Sequence, residues 1–327
     1  MLLELKKEVL QVQEHNFEQL ALKIFRYQIT HNRLYAQFLV NLGINASNIT
    51  KLEQIPCLPI EFFKDKEVRS IDFPPSIIFE SSGTTQTKKS RHLLTDIAFY
   101  RQNSLQIFEQ NYGEPSAYHI LALLPSYQEQ GASSLVFMVE QFMKASASPY
   151  SNFYLYDWQN LYDTIRFLQN KSDRKILLIG VTFALLDFAE AFKADFSDIL
   201  VMETGGMKGR RREMIREEVH SYLCEAWNLT KIHSEYGMTE LLSQAYSKGE
   251  GVFEMPNTMK ILLRETNDPL SFTNKRGLIN VIDLANIETC SFIATQDVGT
   301  ILGQNQFKVL GRADNTEQRG CNLLIIS

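Results

Sequence analysis

Short apolar runs alternate with helical patterns through the middle of the chain, and this alternation limits the fold more than any other feature. Residues 120–124 form one such run, closed by Pro125, and residues 176–179 and 199–202 form two more, the latter two each leading through glycine into a helical pattern. Strands that are apolar on both faces and separated by helices build a largely parallel sheet covered on both sides, with ligands at the carboxyl ends of its strands. After about residue 256 the helical signals fade. Residues 258–263, 277–284 and 290–295 read as shorter strands with turns, which predicts a β-rich final subdomain.

Ahead of the alternating region, Phe17, Leu20, Ala21, Ile24 and Phe25 fall at helical spacing, so the first forty residues read as helix with Gly43 as the stop. Pro56, Pro59, Pro74 and Pro75 then prevent one long helix, and residues 77–79 make a short strand. Asp96 is placed to cap a helix carrying Ile97, Tyr100, Leu105 and Phe108 on one face, and residues 135–142 look helical again. The expected organisation is a helical segment at 1–54 followed by one α/β domain at 55–327, β-rich from about residue 256.

Charge and cysteine content exclude several classes. The 33 Lys and Arg against 38 Asp and Glu leave a net charge of −5, without the basic excess on which nonspecific nucleic-acid or anionic-membrane binding relies. Glu4, Lys6, Lys7 and Glu8 break any apolar core for a secretion signal. The longest uncharged apolar stretch, residues 176–186, is too short to span a bilayer. Four cysteines without a close pair fit neither a disulfide framework nor a zinc knuckle, so reduced thiols in a cytoplasmic protein are expected.

Three segments could carry chemistry. Ser81, Ser82, Gly83, Thr84 and Thr85, followed by Gln86, Thr87, Lys88 and Lys89, come directly after an apolar strand. Small hydroxyl residues around a glycine let backbone amides and hydroxyls converge on phosphate oxygens, while a lysine adds a mobile cation. The spacing is not that of a Walker loop, and the same composition also serves a surface turn. Glu203, Thr204, Gly205, Gly206 and Met207 likewise follow a strand. Bare backbone at paired glycines accepts a flat ring, although glycine is equally ordinary in a tight turn. Glu235, Tyr236, Gly237, Met238, Thr239 and Glu240 combine an aromatic plane, a turn, a hydroxyl and a carboxylate, the parts needed to stack a base, bind phosphate and hold Mg²⁺. Near the end, Asp297 could meet a ribose diol and Arg312 the same nucleotide, or each could sit in an ordinary turn.

The order of these segments resembles the adenylate-forming superfamily of acyl-CoA synthetases and luciferases, from about Ile55 onward. More specifically, residues 55–60 (IPCLPI), Ser90-Arg91-His92, Leu124-Pro125-Ser126-Tyr127, Ser133-Ser134-Leu135-Val136, and the ending from Gly311-Arg312 to Arg319-Gly320-Cys321 resemble the LuxE-type acyl-protein synthetases. The chain departs from the superfamily at Gln86, where a glycine is usual, and at Thr87-Lys88, where proline-lysine is usual.

The resemblance implies a large adenylate-forming domain with mostly parallel sheets covered by helices. It implies that the protein uses ATP and Mg²⁺ to convert a carboxylic acid, a fatty acid by the LuxE likeness, to acyl-AMP and passes the acyl group to a thiol. In that scheme Ser81, Ser82, Gly83, Thr84, Thr85 and Lys88 grip phosphates, Gly205, Gly206, Tyr236 and Gly237 flank adenine, and Thr239 contacts the adenylate phosphate. Glu240 ligates the metal, Asp297 and Arg312 bind ribose, His92 orients the carboxylate, and Cys321 accepts the acyl group for delivery to a reductase or carrier protein, within an oligomer or multienzyme complex. Cys321 could equally be a small apolar residue before an edge strand.

Superfamily members usually continue past this point into a small mobile domain bearing a catalytic lysine, and only fifteen residues follow Arg312. The missing cation is then expected from Lys88, Lys89, Arg91 or the basic run at residues 208–212. Two other readings stand beside this one: a ligase that acylates CoA or a carrier with the help of a partner, and a noncatalytic nucleotide-binding or interaction subunit. Loop residues Ser126, Tyr127 and 131–136 are expected to line the acyl pocket.

Overall fold

The computed structural model describes residues 1–70, 72, 74–82, 88–125, 132–205, 214–266, 268, 271–273 and 275–313. These fall into two compact units, one made of residues 1–73 with 257–327 and the other of residues 74–256. No helix among the described residues is long and apolar enough to cross a membrane.

The first unit begins with helices α1 (Leu2–Leu10), α2 (Phe17–His31) and α3 (Arg33–Asn41). The single helical reading of this stretch therefore divides at residues 11–16 and at Asn32. The break at Asn32 has a local cause: its Oδ1 accepts the Tyr35 N–H at 2.9 Å as a cap for α3, while its Nδ2 donates to Thr289 O at 2.8 Å. Phe17, Leu20, Ala21, Ile24 and Phe25 form the buried stripe of α2, as their spacing predicts. Lys6 on α1 is buried, and its Nζ lies 2.6 Å from Oε1 of Glu288. Strand β1 (Leu58–Pro59) and helix α4 (Phe62–Asp65) follow.

In the second unit, β2 (Ile77–Glu80) and β3 (Arg91–Leu94) form a two-stranded antiparallel hairpin. The hydroxyl-rich segment thus joins two strands of a hairpin. Helix α5 (Ile97–Tyr112) is capped by Asp96, whose Oδ1 accepts the Phe99 N–H at 3.0 Å. Next come β4 (Tyr118–Leu123), α6 (Ser134–Ser146), β5 (Asn152–Phe153), α7 (Trp158–Lys171), β6 (Lys175–Val181), α8 (Thr182–Ala191), β7 (Leu200–Thr204), α9 (Arg216–Trp227), β8 (His233–Tyr236), β9 (Ala245–Ser247) and β10 (Val252–Glu254). The unit's main sheet has the order β10-β9-β8-β7-β6-β4-β5. Its β5-β4-β6-β7-β8 part is parallel, while β9 and β10 turn back antiparallel. Every residue of β4 and β8 is buried, in line with strands covered on both faces.

The chain returns to the first unit with β11 (Met259–Arg264), β12 (Phe272–Thr273), β13 (Gly277–Asp283), β14 (Phe292–Ile301) and β15 (Gln306–Arg312). Their antiparallel order is β12-β11-β13-β14-β15, with β1 pairing parallel to β14, which is the β-rich region expected after residue 256. The sequence signals missed β15. Asp297 and Arg312, which had resembled isolated turn residues, are strand residues directly opposite one another on β14 and β15. The N-terminal helices pack on this sheet: Nε2 of the buried Gln28 donates to Asn286 O at 2.9 Å, and its Oε1 accepts the Ser291 N–H at 3.0 Å.

Candidate active site

The second unit brings two of the motif segments together. His92 on β3 is fully buried, and its Nδ1 lies 2.7 Å from the carbonyl oxygen of Thr239. A carbonyl can only accept, so this contact fixes Nδ1 as the protonated nitrogen. The hairpin that carries Ser81, Ser82 and Lys88 is thereby tied to the turn that carries Tyr236, Gly237, Thr239 and Glu240. At the mouth of the hairpin, Ser81 N–H donates to Ser90 O at 3.0 Å and Ser90 N–H donates to Ser81 Oγ at 2.9 Å. Lys88 and Lys89 are exposed, and Lys89 pairs with Glu80 at 3.2 Å. Gly83, Thr84 and Thr85 lie outside the described residues, as do Gly206, Ser126, Tyr127, Gly131, the basic run at 208–212 and Cys321.

The ends of β7 and β8 place the other two segments side by side, with Thr204 opposite Glu235 in the parallel register. Tyr236 is buried, its ring centroid 5.8 Å from that of Phe253. Gly205 has φ +72°, a left-handed turn that suits glycine. Glu240 is buried on the turn after β8, and Thr239 is half-buried.

Two carboxylates that the sequence reading gave no role dominate the electrostatics here. Glu203 at the end of β7 accepts from Arg216 Nε at 3.0 Å and from Thr182 Oγ1 at 3.0 Å, with His220 Nε2 at 3.6 Å. Burial raises its carboxyl, but the neighbouring His220 and the Arg216 charge outweigh this and hold it below its ordinary value. Glu235, on the opposite face of the sheet, accepts from the Thr204 hydroxyl alone among the described residues. Burial pushes it up to about 7, with a small further rise from Glu203. A carboxylate inside a short apolar strand pattern, as in LVMET, is the signal that could have singled out Glu203.

In the first unit, Arg312 Nε and Asp297 Oδ1 stand 4.0 Å apart across the β14–β15 pair, with Arg312 62% exposed. The described cysteines are poor nucleophiles: burial pushes Cys57 up to about 12 and raises Cys224 and Cys290 as well. His119 and His233 contact hydroxyls, the first with Ser148 and Ser172 at 2.6 Å each and the second with Tyr112 at 3.1 Å.

Among the described residues no three His, Cys, Asp or Glu side chains group as a metal cage. Mg²⁺ uses one or two carboxylates and takes its remaining ligands from phosphate and water, so the single carboxylate of Glu240 is enough to hold such an ion.

The sequence matches no protein-family model and no curated protein. Solved structures similar to the chain include the amide bond synthetase McbA from Marinactinospora thermotolerans, at 13% identity and a TM-score of 0.48 over 76% of this chain and 51% of that one. O-succinylbenzoate coenzyme A synthetase (MenE) from Bacillus subtilis, in complex with AMP, aligns at 16% identity and a TM-score of 0.47 over 72% and 49%. MatB from Rhodopseudomonas palustris aligns at 16% and 0.48 over 73% and 48%. The chain spans about half the length of each of these proteins.

Proposed function

We propose that the protein activates a carboxylic acid with ATP as acyl-AMP and transfers the acyl group to its own Cys321. The observation that carries this reading is the His92–Thr239 contact, which holds the hydroxyl-rich hairpin against the Tyr236–Glu240 turn. Two segments far apart in sequence, each with phosphate-binding chemistry, are thereby fixed to one another. The motif order and its LuxE-type likeness supply the identity of the reaction.

In the first step a carboxylate oxygen of the acid attacks the α-phosphorus of ATP, and the bond to the β,γ-phosphates breaks to release pyrophosphate. Negative charge gathers on the phosphoryl oxygens, and the hairpin's backbone amides, Lys88 and the Thr239 hydroxyl stabilise it. Glu240 would hold Mg²⁺, which would supply further neutralisation of the phosphate charge. In the second step the Cys321 sulfur attacks the acyl carbon, AMP leaves with the bonding pair, and the thiol proton passes to solvent or a nearby base. Burial raises the thiols of Cys57, Cys224 and Cys290, which supports Cys321 as the acceptor in this reading.

Acid-dependent exchange of labelled pyrophosphate into ATP tests the first step, and a hydroxylamine-sensitive acyl label on the protein tests the second. A C321S protein is expected to keep exchange and lose the label. Absence of exchange with any of a panel of fatty, short-chain and aryl acids would overturn the adenylation. Equal labelling of C321S, or rapid formation of acyl-CoA by the protein alone, would overturn the acceptor.

A further inference from the structure

The first unit contains a cleft of about 180 Å³ whose walls include Phe38, Leu42 and Pro59, with Cys57, Glu61 and Arg264 also facing it. An apolar cavity of roughly 150 Å³ takes a benzene-sized molecule, so this one has room for a slightly larger ligand. Its charged groups are unusual. Arg264, only 8% exposed, donates two bonds from Nη1, to Ile279 O at 3.0 Å and Asn280 Oδ1 at 2.6 Å, and one from Nη2, to Thr295 O at 2.5 Å. These bonds tie the guanidinium to β13 and β14. Two of its five N–H groups, one on Nε and one on Nη2, have no acceptor among the described residues, and these neighbouring donors suit the fork of a carboxylate. No carboxylate of the described residues pairs with it.

Glu61 lines the same cleft without touching Arg264. Its Oε1 accepts from Gln296 Nε2 at 2.5 Å, and Oε2 has no donor among the described residues. A buried cation lacking a counter-ion is costly, and so is one whose neighbouring opposite charge is left apart from it. The cleft therefore holds opposite charges with hydrogen-bonding capacity to spare, set in apolar walls. A plain carboxylate would satisfy Arg264 but would face the Glu61 charge.

We propose that this cleft binds a small zwitterion, an α-amino acid with an apolar side chain. Its carboxylate takes the Arg264 fork, its ammonium donates to Glu61, and its side chain rests on Phe38, Leu42 and Pro59. The site lies wholly within the first unit and is independent of the adenylation chemistry.

Calorimetric titration of the full chain tests this with three probes of one shape: L-leucine, 4-methylpentanoate and isoamylamine. Leucine is expected to bind saturably, and the two single-charge analogues at least about tenfold more weakly. E61Q preserves the contact to Gln296 and is expected to weaken leucine about tenfold without weakening 4-methylpentanoate. L42W, at the rim, is expected to abolish leucine binding in a protein of unchanged fold by circular dichroism; Arg264 itself is left intact because it ties two strands. Failure of leucine to bind even at about millimolar affinity overturns the site. Equal binding of 4-methylpentanoate, or an E61Q protein that binds leucine like wild type, overturns the zwitterion.

Discussion

Nδ1 of His92 stands 2.7 Å from the carbonyl oxygen of Thr239, across 147 residues of sequence. The imidazole is fully buried, so its loss removes both a hydrogen bond and the filler between hairpin and turn. H92A is expected to loosen the turn bearing Thr239 and Glu240 and to lower pyrophosphate exchange about 100-fold, the cost of roughly 2.7 kcal/mol of misplaced transition-state contacts. H92N, which can still donate to a carbonyl, is expected to recover part of that loss. An H92A enzyme with wild-type exchange would separate this contact from catalysis.

Arg216 and Glu203 form the principal ion pair at the end of β7, with the guanidinium a quarter exposed and the carboxylate nearly buried. Removing the cation leaves a buried charge supported by Thr182 and His220. R216M is expected to lose about 2–3 kcal/mol in urea unfolding, below the full range for a buried pair because one partner reaches solvent. The double variant R216M/E203Q is expected to regain most of this. No recovery in the double variant would mean that the loss came from the Arg216 guanidinium over the Phe253 ring, whose centroid lies 5.1 Å from Cζ.

The parallel core was legible from sequence because strands buried on both faces have to be apolar throughout, as 120–124 and 176–179 are. The cap at Asp96 was legible too, since its side chain accepts from the backbone three residues on, whereas the cap at Ser133 was not read as one. Strand β3 was not legible, because Arg91 and His92 interrupt any apolar pattern, and the buried His92 meets a carbonyl 147 residues away. Likewise β15 carries its exposed Gly311-Arg312 end, which reads as a turn. Glu203 and Glu235 sit in strands with no solvent face, so alternation could not tell which side each carboxylate occupies or what would meet it. The leucine-sized cleft combines residues 38–61 with 264–295, and no local pattern joins them.

Two buried titratable groups in the second unit oppose each other in pH dependence. Burial lifts Glu235 from 4.5 to about 7, with Thr204, Glu203 and Tyr246 around it. Between those values the folded state keeps a proton that the unfolded state has lost, so stability falls as pH rises through this window. Burial, with Lys231 and Lys248, lowers His233 from 6.5 to about 4. Here the unfolded state holds the extra proton, so stability falls as pH drops from 6.5 toward 4. Each gap of about 2.5 pH units corresponds to about 3 kcal/mol. From pH 4.5 to 6.5 the two terms cancel, and this pair leaves wild-type stability nearly flat. E235Q is expected to expose the histidine slope, about 1.4 kcal/mol lost per pH unit on acidification, and H233N the opposite slope. Urea unfolding at half-unit pH steps reads both. Parallel pH profiles for the two variants would refute the assignment.

Gly237 and Glu235 compete for one space. A Cβ built on Gly237 would overlap Oε1 of Glu235, while the other carboxyl oxygen is held by the Thr204 hydroxyl. The carboxyl cannot swing aside without breaking that bond in a buried site, so G237A is expected to cost about 2 kcal/mol, as overpacking in a core does. Shortening the neighbour makes room. E235A alone is expected to be tolerated at pH 8, where it removes a charged carboxylate from a buried position, and the G237A/E235A double variant is expected to lose less than G237A alone. A coupling energy of about 1–2 kcal/mol in this cycle would place the constraint in the two side chains. A coupling near zero would place it in the backbone of the turn, and the glycine would then be required for its own conformation alone.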